Sequence, residues 1–120
     1  SAVPQEWLAI INEFGGEIAE TYGVPVEQIQ EGIRHGVRKV NIDTDLRLAS
    51  TGAIRRFMAQ NPAEFDPRKY LAHTITAMKD ICIARYEAFG TAGNADKIKV
   101  RSLDSIQADY ESGALTAVVH

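Results

Sequence analysis

Cysteines and long apolar runs are scarce in this 120-residue chain, and their scarcity limits what the protein can be. Cys82 is the only cysteine, so no disulfide can form within the chain. No apolar run approaches the roughly 20 residues that a membrane-spanning helix needs, and none has the form of a secretory apolar region. We therefore expect a protein of the cytoplasm that has no membrane partner.

Positive charge is also sparse. Lys and Arg number 13 against 16 Asp and Glu, the formal net charge is -3, and no basic run exists. Surfaces that bind nucleic acid need clustered positive charge, so no nucleic acid partner is expected. The histidines lack the paired spacing of a helical zinc motif, so we expect no metal site in this chain. They are His35, His73 and His120.

Helical patterning, in contrast, is abundant. Apolar residues recur at helical spacing in several segments, and Pro, Gly and Asn-Pro signals bound them. Asp66-Pro67 is a strong helix start because Asp can cap free amides and Pro suits the first helical position. Ser102 is expected to cap the last helix. The predicted helices are 4–14, 25–35, 45–60, 66–89 and 103–111.

The helix that starts at Asp66 carries a stripe of apolar side chains along its length. Such a stripe at helical spacing usually faces a core. We expect the stripe to consist of Leu71, Ile75, Met78, Ile81, Cys82 and Tyr86.

One segment, Val37–Asp43, has the alternation of a β-strand. Side chains alternate between the two faces of a strand, so Val40 and Ile42 are expected to point together. The other face would carry Lys39, Asn41 and Asp43. Polar groups are costly to bury without partners, so this face is a candidate ligand site, with a solvated edge strand as the alternative. A lone strand lacks a ladder partner, which must then come from the rest of a larger domain or from another chain.

Five runs of sequence stand in order along nearly the whole chain: SAVPQEW at 1–7, GVRKVNIDTD at 36–45, LRLASTGAIRRF at 46–57, FDPRKYL at 65–71 and ICIARYEAFGTAG at 81–93. Together they resemble the class II, zinc-dependent fructose-1,6-bisphosphate aldolases, and most of all the branch found in Calvin-cycle operons. Because several separate motifs agree in order, the resemblance is specific.

The resemblance implies an α/β fold, namely the C-terminal portion of a (β/α)8 TIM barrel. Residues 1–44 would form the last helix–strand portion of the barrel, and residues 45–120 its terminal helices. A full barrel needs about 250 residues, so this chain cannot build one alone. We interpret the chain, which opens without an initiator Met, as a C-terminal fragment that is mostly helical with one strand.

The resemblance also implies a sugar-phosphate site at the end of that strand. Asn41 would contact the hydroxyl and enediolate end of dihydroxyacetone phosphate, and Asp43 would lie beside the substrate carbons. The Asp43–Thr44 backbone would help to hold a phosphate, which agrees with the attraction of anions to helix starts. Capping of the following helix by Asp43 or Thr44 is the alternative, and the two roles are compatible.

A second group of substrate-binding residues is implied at the start of the fourth helix. Arg68, with Asp66 beside it, would reach the site of an adjacent subunit and bind the distal phosphate, for which a guanidinium is well suited. A solvated Arg is the alternative for Arg68, and an ordinary helix cap is the alternative for Ser1. The implied substrate-binding residues are Ser1, Asn41, Ile42, Asp43, Thr44, Asp66 and Arg68.

The implied activity is the reversible aldol cleavage of fructose 1,6-bisphosphate to dihydroxyacetone phosphate and glyceraldehyde 3-phosphate, in glycolysis, gluconeogenesis or the Calvin cycle. Its Zn2+ ligands and catalytic carboxylates would lie upstream of residue 1, so no catalytic residue is expected here. A homo-oligomer, dimer or tetramer, is implied as well. The alternatives are a tagatose- or other ketose-bisphosphate aldolase, and a non-catalytic helical interaction module that would leave Asn41 and Asp43 in solvent or capping a helix.

Overall fold

The computed structural model describes residues 2–118, and its secondary structure is helical. A short 3-10 turn, Ala95–Lys97, precedes the last helix. The α-helices are α1 Gln5–Glu13, α2 Val26–Arg34, α3 Thr44–Gln60, α4 Pro67–Ala88 and α5 Leu103–Glu111. Each agrees with a predicted helix to within one residue at either end, so the helical part of the prediction is confirmed.

Both predicted helix caps are present. The Asp66 carboxylate accepts a hydrogen bond from the backbone N–H of Arg68 at 3.0 Å, at the start of α4. The Ser102 hydroxyl accepts one from the N–H of Ser105 at 3.2 Å, at the start of α5. Each bond satisfies an amide that has no partner inside its helix, which is why these residues begin helices.

The core lies where α3 packs against α4 on one side and α1 on the other. Small side chains bring α3 close to its neighbours: Ala49 and Ala53 are buried against Ala77 and Ile81 of α4. Gly52 faces α1, where a Cβ atom would stand 2.7 Å from a ring carbon of Trp7. Glycine is therefore required at this close approach of helix and ring.

The apolar stripe predicted for α4 is wrong for three of its six members, whereas Ile81 is buried and Met78 and Cys82 are half-buried. Of its members only Ile81 is buried, whereas Leu71, Ile75 and Tyr86 are 45, 69 and 55% exposed. The buried face instead carries Thr74, Ala77 and Ile81. A close approach to the Ala-rich face of α3 favours small residues on α4, so the bulkier stripe turns away from it.

The predicted strand Val37–Asp43 is also wrong for this chain. A strand is defined by backbone hydrogen bonds to a neighbouring strand, and residues 2–118 contain no strand. Within the segment, the amides of Arg38, Lys39, Val40 and Ile42 donate to no acceptor in the described part of the chain. The predicted alternation nevertheless holds. Val40 and Ile42 are half-buried, whereas Lys39, Asn41 and Asp43 are exposed.

The molecule is elongated, measuring 60 × 31 × 25 Å. Its radius of gyration is 19.4 Å, against about 13–14 Å for a compact domain of this length. The region after α4 leaves its larger apolar side chains exposed, among them Ile98, Val100, Leu103 and Tyr110. Within residues 2–118, no helix combines the length and the apolar character that crossing a membrane requires.

Candidate functional site

The polar end of segment 37–43 leads directly into α3. Asp43 occupies the position before the helix, but its side chain makes no capping hydrogen bond. Instead it binds Arg47 one turn later, through Nε–Oδ1 and Nη2–Oδ2 contacts of 3.0 Å each. The predicted alternative of capping by the Asp43 side chain is therefore wrong. Asn41 is exposed, and its Oδ1 contacts the Lys39 ammonium.

The first-turn amides of α3 are open. Those of Thr44, Asp45 and Leu46 have no acceptor among the residues that the structure describes, and the first bond back to the helix start is Arg47 N–H to the Asp43 carbonyl at 3.0 Å. Unsatisfied amides at a helix start carry partial positive charge and attract anions. Asn41, Asp43 and these amides thus lie within six consecutive residues at one end of α3.

A buried ion pair lies beside this end of α3. Asp45 is fully buried, and its Oδ2 accepts from Arg85 Nε at 3.0 Å and from Nη2 at 2.7 Å. Asp45 Oδ1 is also buried and has no hydrogen-bond partner in residues 2–118. Sequence reasoning missed this pair because its partners stand 40 residues apart and neither carries a local signal of burial.

The second group of predicted site residues lies at the start of α4. The Arg68 guanidinium donates hydrogen bonds to the Asp66 carboxylate from Nε, at 3.0 and 3.1 Å, and from Nη2, at 2.7 Å. Its side chain is 89% exposed. These bonds hold the pKa of Asp66 below its usual value and raise that of Arg68. Because these hydrogen bonds use the Nε–Nη2 edge of the guanidinium, the edge with Nη1 can still bind an anion.

A neighbouring carboxylate supports this turn, and sequence reasoning missed it. Glu64 accepts from the amides of Phe65 and Asp66 at 3.1 Å and from Lys69 Nζ at 2.6 Å. The hydrogen bond from Lys69 is the main cause that lowers the pKa of Glu64. The acidic and basic residues spaced two to five positions apart were the only available signal.

The two groups of residues lie at opposite ends of the α3–α4 pair. Arg85, near the end of α4, contacts Asp45 at the start of α3, so the helices run antiparallel. Arg68 is 17 residues before Arg85 on the same helix, which corresponds to about 25 Å. One copy of the chain therefore does not bring Arg68 to Asn41 and Asp43.

Hollows flank segment 37–42. One of about 460 Å3 lies between the segment and the end of α4, and Arg38, Lys39 and Arg85 border it together with apolar side chains. Another of about 360 Å3 lies on the α2 side, next to Lys39 and Asn41. The segment is thus uncovered along much of its length.

The described residues do not offer a metal site. No group of three or more His, Cys, Asp or Glu side chains in residues 2–118 is close enough together to hold an ion. His35 bonds Glu31 at 2.8 Å, and His73 stacks on Phe57 with ring centroids 4.5 Å apart. Two residues named in the predictions, Ser1 and His120, lie outside the described residues.

Comparison with known proteins identifies the class of protein. The family model described as class-II fructose-bisphosphate aldolase matches residues 20–94, so the chain belongs to this family, and it is part of the family's TIM-barrel fold. The predicted resemblance is confirmed.

Individual relatives agree with this assignment, and all carry the name fructose-bisphosphate aldolase. The protein of Pseudomonas aeruginosa is 73% identical over 120 residues, which is 100% of this chain and 34% of the relative. That of Stutzerimonas stutzeri is 76% identical over 115 residues, 96% of this chain and 32% of the relative. That of Xanthobacter flavus is 62% identical over 120 residues, with shares of 100% and 34%. The chain spans about a third of the length of the curated relatives it matches.

Proposed function

We propose that this chain is the C-terminal part of a class II fructose-bisphosphate aldolase, a cytoplasmic enzyme of sugar-phosphate metabolism. The enzyme reversibly cleaves fructose 1,6-bisphosphate to dihydroxyacetone phosphate and glyceraldehyde 3-phosphate. The observation that carries this proposal is the 62–76% identity, over 96% or more of the chain, with proteins that bear this name.

The chain's structural role follows from segment 37–43. The open backbone amides of Arg38, Lys39, Val40 and Ile42, together with the flanking hollows, suit a strand whose neighbours are contributed by residues outside this chain. We assign it as the last barrel strand, so residues 1–44 complete the barrel and residues 45–120 form terminal helices. Ile42, half-buried between Asn41 and Asp43, anchors the strand end while its neighbours face the ligand.

The substrate's dihydroxyacetone phosphate portion is bound where this strand meets α3. Asn41 binds the hydroxyl end, Asp43 lies beside the substrate carbons, and the backbone at Thr44 receives the phosphate. The open first-turn amides of α3 support this arrangement. The exposure of Asn41 and Asp43 fits both this arrangement and the interaction-module alternative. Ser1 is assigned a phosphate contact from the family resemblance alone.

The distal phosphate is bound by Arg68 of another copy of the chain. Asp66 orients the Arg68 guanidinium by a bidentate contact with Nε and Nη2. This contact leaves the Nη1 edge for a phosphate oxygen. The separation of about 25 Å between Arg68 and Arg85 on α4 keeps Arg68 from the site of its own chain. The active enzyme is therefore a homo-oligomer, dimer or tetramer.

In this proposal, zinc would supply Lewis-acid chemistry, and residues outside this chain would hold it. The described residues do not fit it, because none of them forms a ligand cluster. Zinc ligands and acid–base carboxylates are assigned to residues outside this chain. What this chain contributes is binding and orientation of the two phosphates and the hydroxyl end.

The test is steady-state cleavage of fructose 1,6-bisphosphate by the full-length protein that contains this chain. We expect turnover of this substrate, with a lower kcat/KM for tagatose 1,6-bisphosphate. Asn41→Ala is expected to lower kcat/KM, whereas Gln107→Ala, which removes an exposed amide on α5, should not. Preference for the tagatose substrate would support the related ketose-bisphosphate activity, and a lack of any turnover or sugar-phosphate binding would support the interaction-module alternative.

A further inference from the structure

The buried Asp45–Arg85 pair is the feature that the proposed binding roles leave unexplained. Asp45 is the only fully buried charged residue among residues 2–118, and the Arg85 side chain is only 15% exposed. An apolar pair of similar volume would serve the core as well or better, because a buried ion pair loses much of its attraction to desolvation. A reason other than net stability is needed for two charges at this position.

The ion pair supplies an interaction with a defined geometry, which an apolar pair would not. Arg85 reaches one carboxylate oxygen with two donors, Nε and Nη2, and a planar guanidinium permits this in few orientations. The contact fixes the start of α3 against the end of α4 both along the helix axes and in rotation. Apolar contacts between two helices tolerate small sliding movements that such a contact does not.

The ion pair fixes the first turn of α3, which is the part of the helix proposed to bind the substrate phosphate. Asp45 lies next to Thr44 and two residues after Asp43, in the turn whose amides are open. Arg85 also borders the hollow beside segment 37–42, so one guanidinium touches the surroundings of both the strand and the helix that flank Asp43. A small shift of this turn would move the amides and Asp43 together.

We propose that Asp45 and Arg85 form a positioning pair, which holds the first turn of α3 so that its amides and Asp43 meet the substrate. The pair touches neither the substrate nor the metal, and it acts through the residues on either side of Asp45. This role rests on the proposed function.

The test compares variants of the full-length enzyme by thermal unfolding and by steady-state kinetics with fructose 1,6-bisphosphate. Asp45→Leu/Arg85→Met replaces the pair with apolar groups and should leave Tm near the wild-type value. We expect KM to rise about 10- to 100-fold with a smaller change in kcat, because misplaced phosphate contacts weaken ground-state and transition-state binding alike. Asp109→Leu/Arg101→Met removes a more exposed Asp–Arg pair on and near α5 and should change neither.

An unchanged KM in the folded double variant, whether Tm is retained or lowered, would show that the pair does not position the substrate contacts and would overturn the proposal. If the double variant does not fold, the KM of Arg85→Lys tests the proposal instead. This substitution keeps the positive charge and loses the two-donor contact. An Arg85→Lys enzyme with wild-type KM would equally overturn the role. A wild-type protein that does not cleave the substrate would instead remove the proposed function, and the positioning role with it.

Discussion

Two Asp–Arg pairs at opposite ends of the α3–α4 hairpin use the same atoms at the same distance. Arg85 Nη2 lies 2.7 Å from Asp45 at one end, and Arg68 Nη2 lies 2.7 Å from Asp66 at the other. Their surroundings differ: the side-chain exposures are 15 and 0% in the first pair, and 89 and 21% in the second.

The difference decides what each pair can do. In the interior, a charge without its partner is expensive, so the buried pair is a rigid constraint on helix position. At the surface, water and salt replace a lost partner at little cost, so the exposed pair only biases the orientation of Arg68. Equal distances therefore do not mean equal roles: the buried pair holds the backbone, and the exposed pair presents a side chain that remains able to bind an anion.

The largest expected effect comes from breaking the buried pair on one side. Arg85→Met leaves the Asp45 carboxylate buried without a partner, which should lower the free energy of unfolding by about 3–5 kcal/mol. The matched substitution Arg68→Met should change stability little, because its carboxylate partner keeps access to water. Urea unfolding of the full-length protein measures both, and similar losses for the two variants would contradict the contrast between the pairs.

A second comparison concerns the two faces of α4. Ile81 is 9% exposed in the core, whereas Ile75 of the predicted stripe is 69% exposed. Ile81→Ala should lower the free energy of unfolding by about 2–5 kcal/mol, since it removes buried methyl groups and leaves a cavity. Ile75→Ala should cost much less. A large loss for Ile75→Ala, measured by urea unfolding, would mean that the stripe is covered in the assembled protein.

These contrasts also show which features the sequence could reveal. The caps at Asp66 and Ser102 depend on residues two or three positions away, so local pattern was sufficient to predict them. The Asp45–Arg85 pair depends on tertiary packing across 40 residues, which no local pattern reports. The strand prediction was wrong for a related reason, because the hydrogen-bonded ladder of a strand needs a neighbouring strand. Alternation still separated Val40 and Ile42, which are half-buried, from Lys39, Asn41 and Asp43, which are exposed.

The candidate site, too, was predictable from the sequence only in part. Its location at the end of segment 37–43 followed from alternation, but the roles proposed for Asn41, Asp43 and Arg68 came from the family resemblance. Nothing local distinguishes Arg68 as a ligand from a solvated Arg at a helix start. Glu64 and Lys69 support that turn through contacts between side chains that residue spacing alone does not specify.

A smaller effect, on activity rather than stability, should follow from removing the exposed guanidinium. Arg68→Ala in the full-length enzyme is expected to lower kcat/KM for fructose 1,6-bisphosphate roughly 10- to 100-fold, the loss of a charged hydrogen bond to phosphate. Tm should stay constant. Arg34→Ala, which removes another exposed Arg that is paired with Glu31, is the control and should leave kcat/KM unchanged. Equal effects of the two substitutions would remove Arg68 from the site.

The smallest expected effect is a dependence on pH at the start of α4. The pKa values of Asp66 and Glu64 are lowered, chiefly by hydrogen bonds from Arg68 and Lys69 respectively, against ordinary values of 3.8 and 4.5. A carboxylate with a lowered pKa in the folded state stabilises the fold above its ordinary pKa, and this contribution is lost as the pH falls through the lowered value. The first turn of α4 should therefore loosen only below about pH 4.5.

Amide hydrogen exchange of residues 68–70, compared with the turn at residues 81–85 that packs into the core through Ile81, measures this loosening. In wild-type protein, protection of the first turn should fall over the acidic range before the second turn changes. Glu64→Gln/Asp66→Asn should abolish this early step, because neither amide titrates, and should lower protection at neutral pH. If the early loss persists in the double variant, the carboxylate pairs at this end of α4 are not its cause.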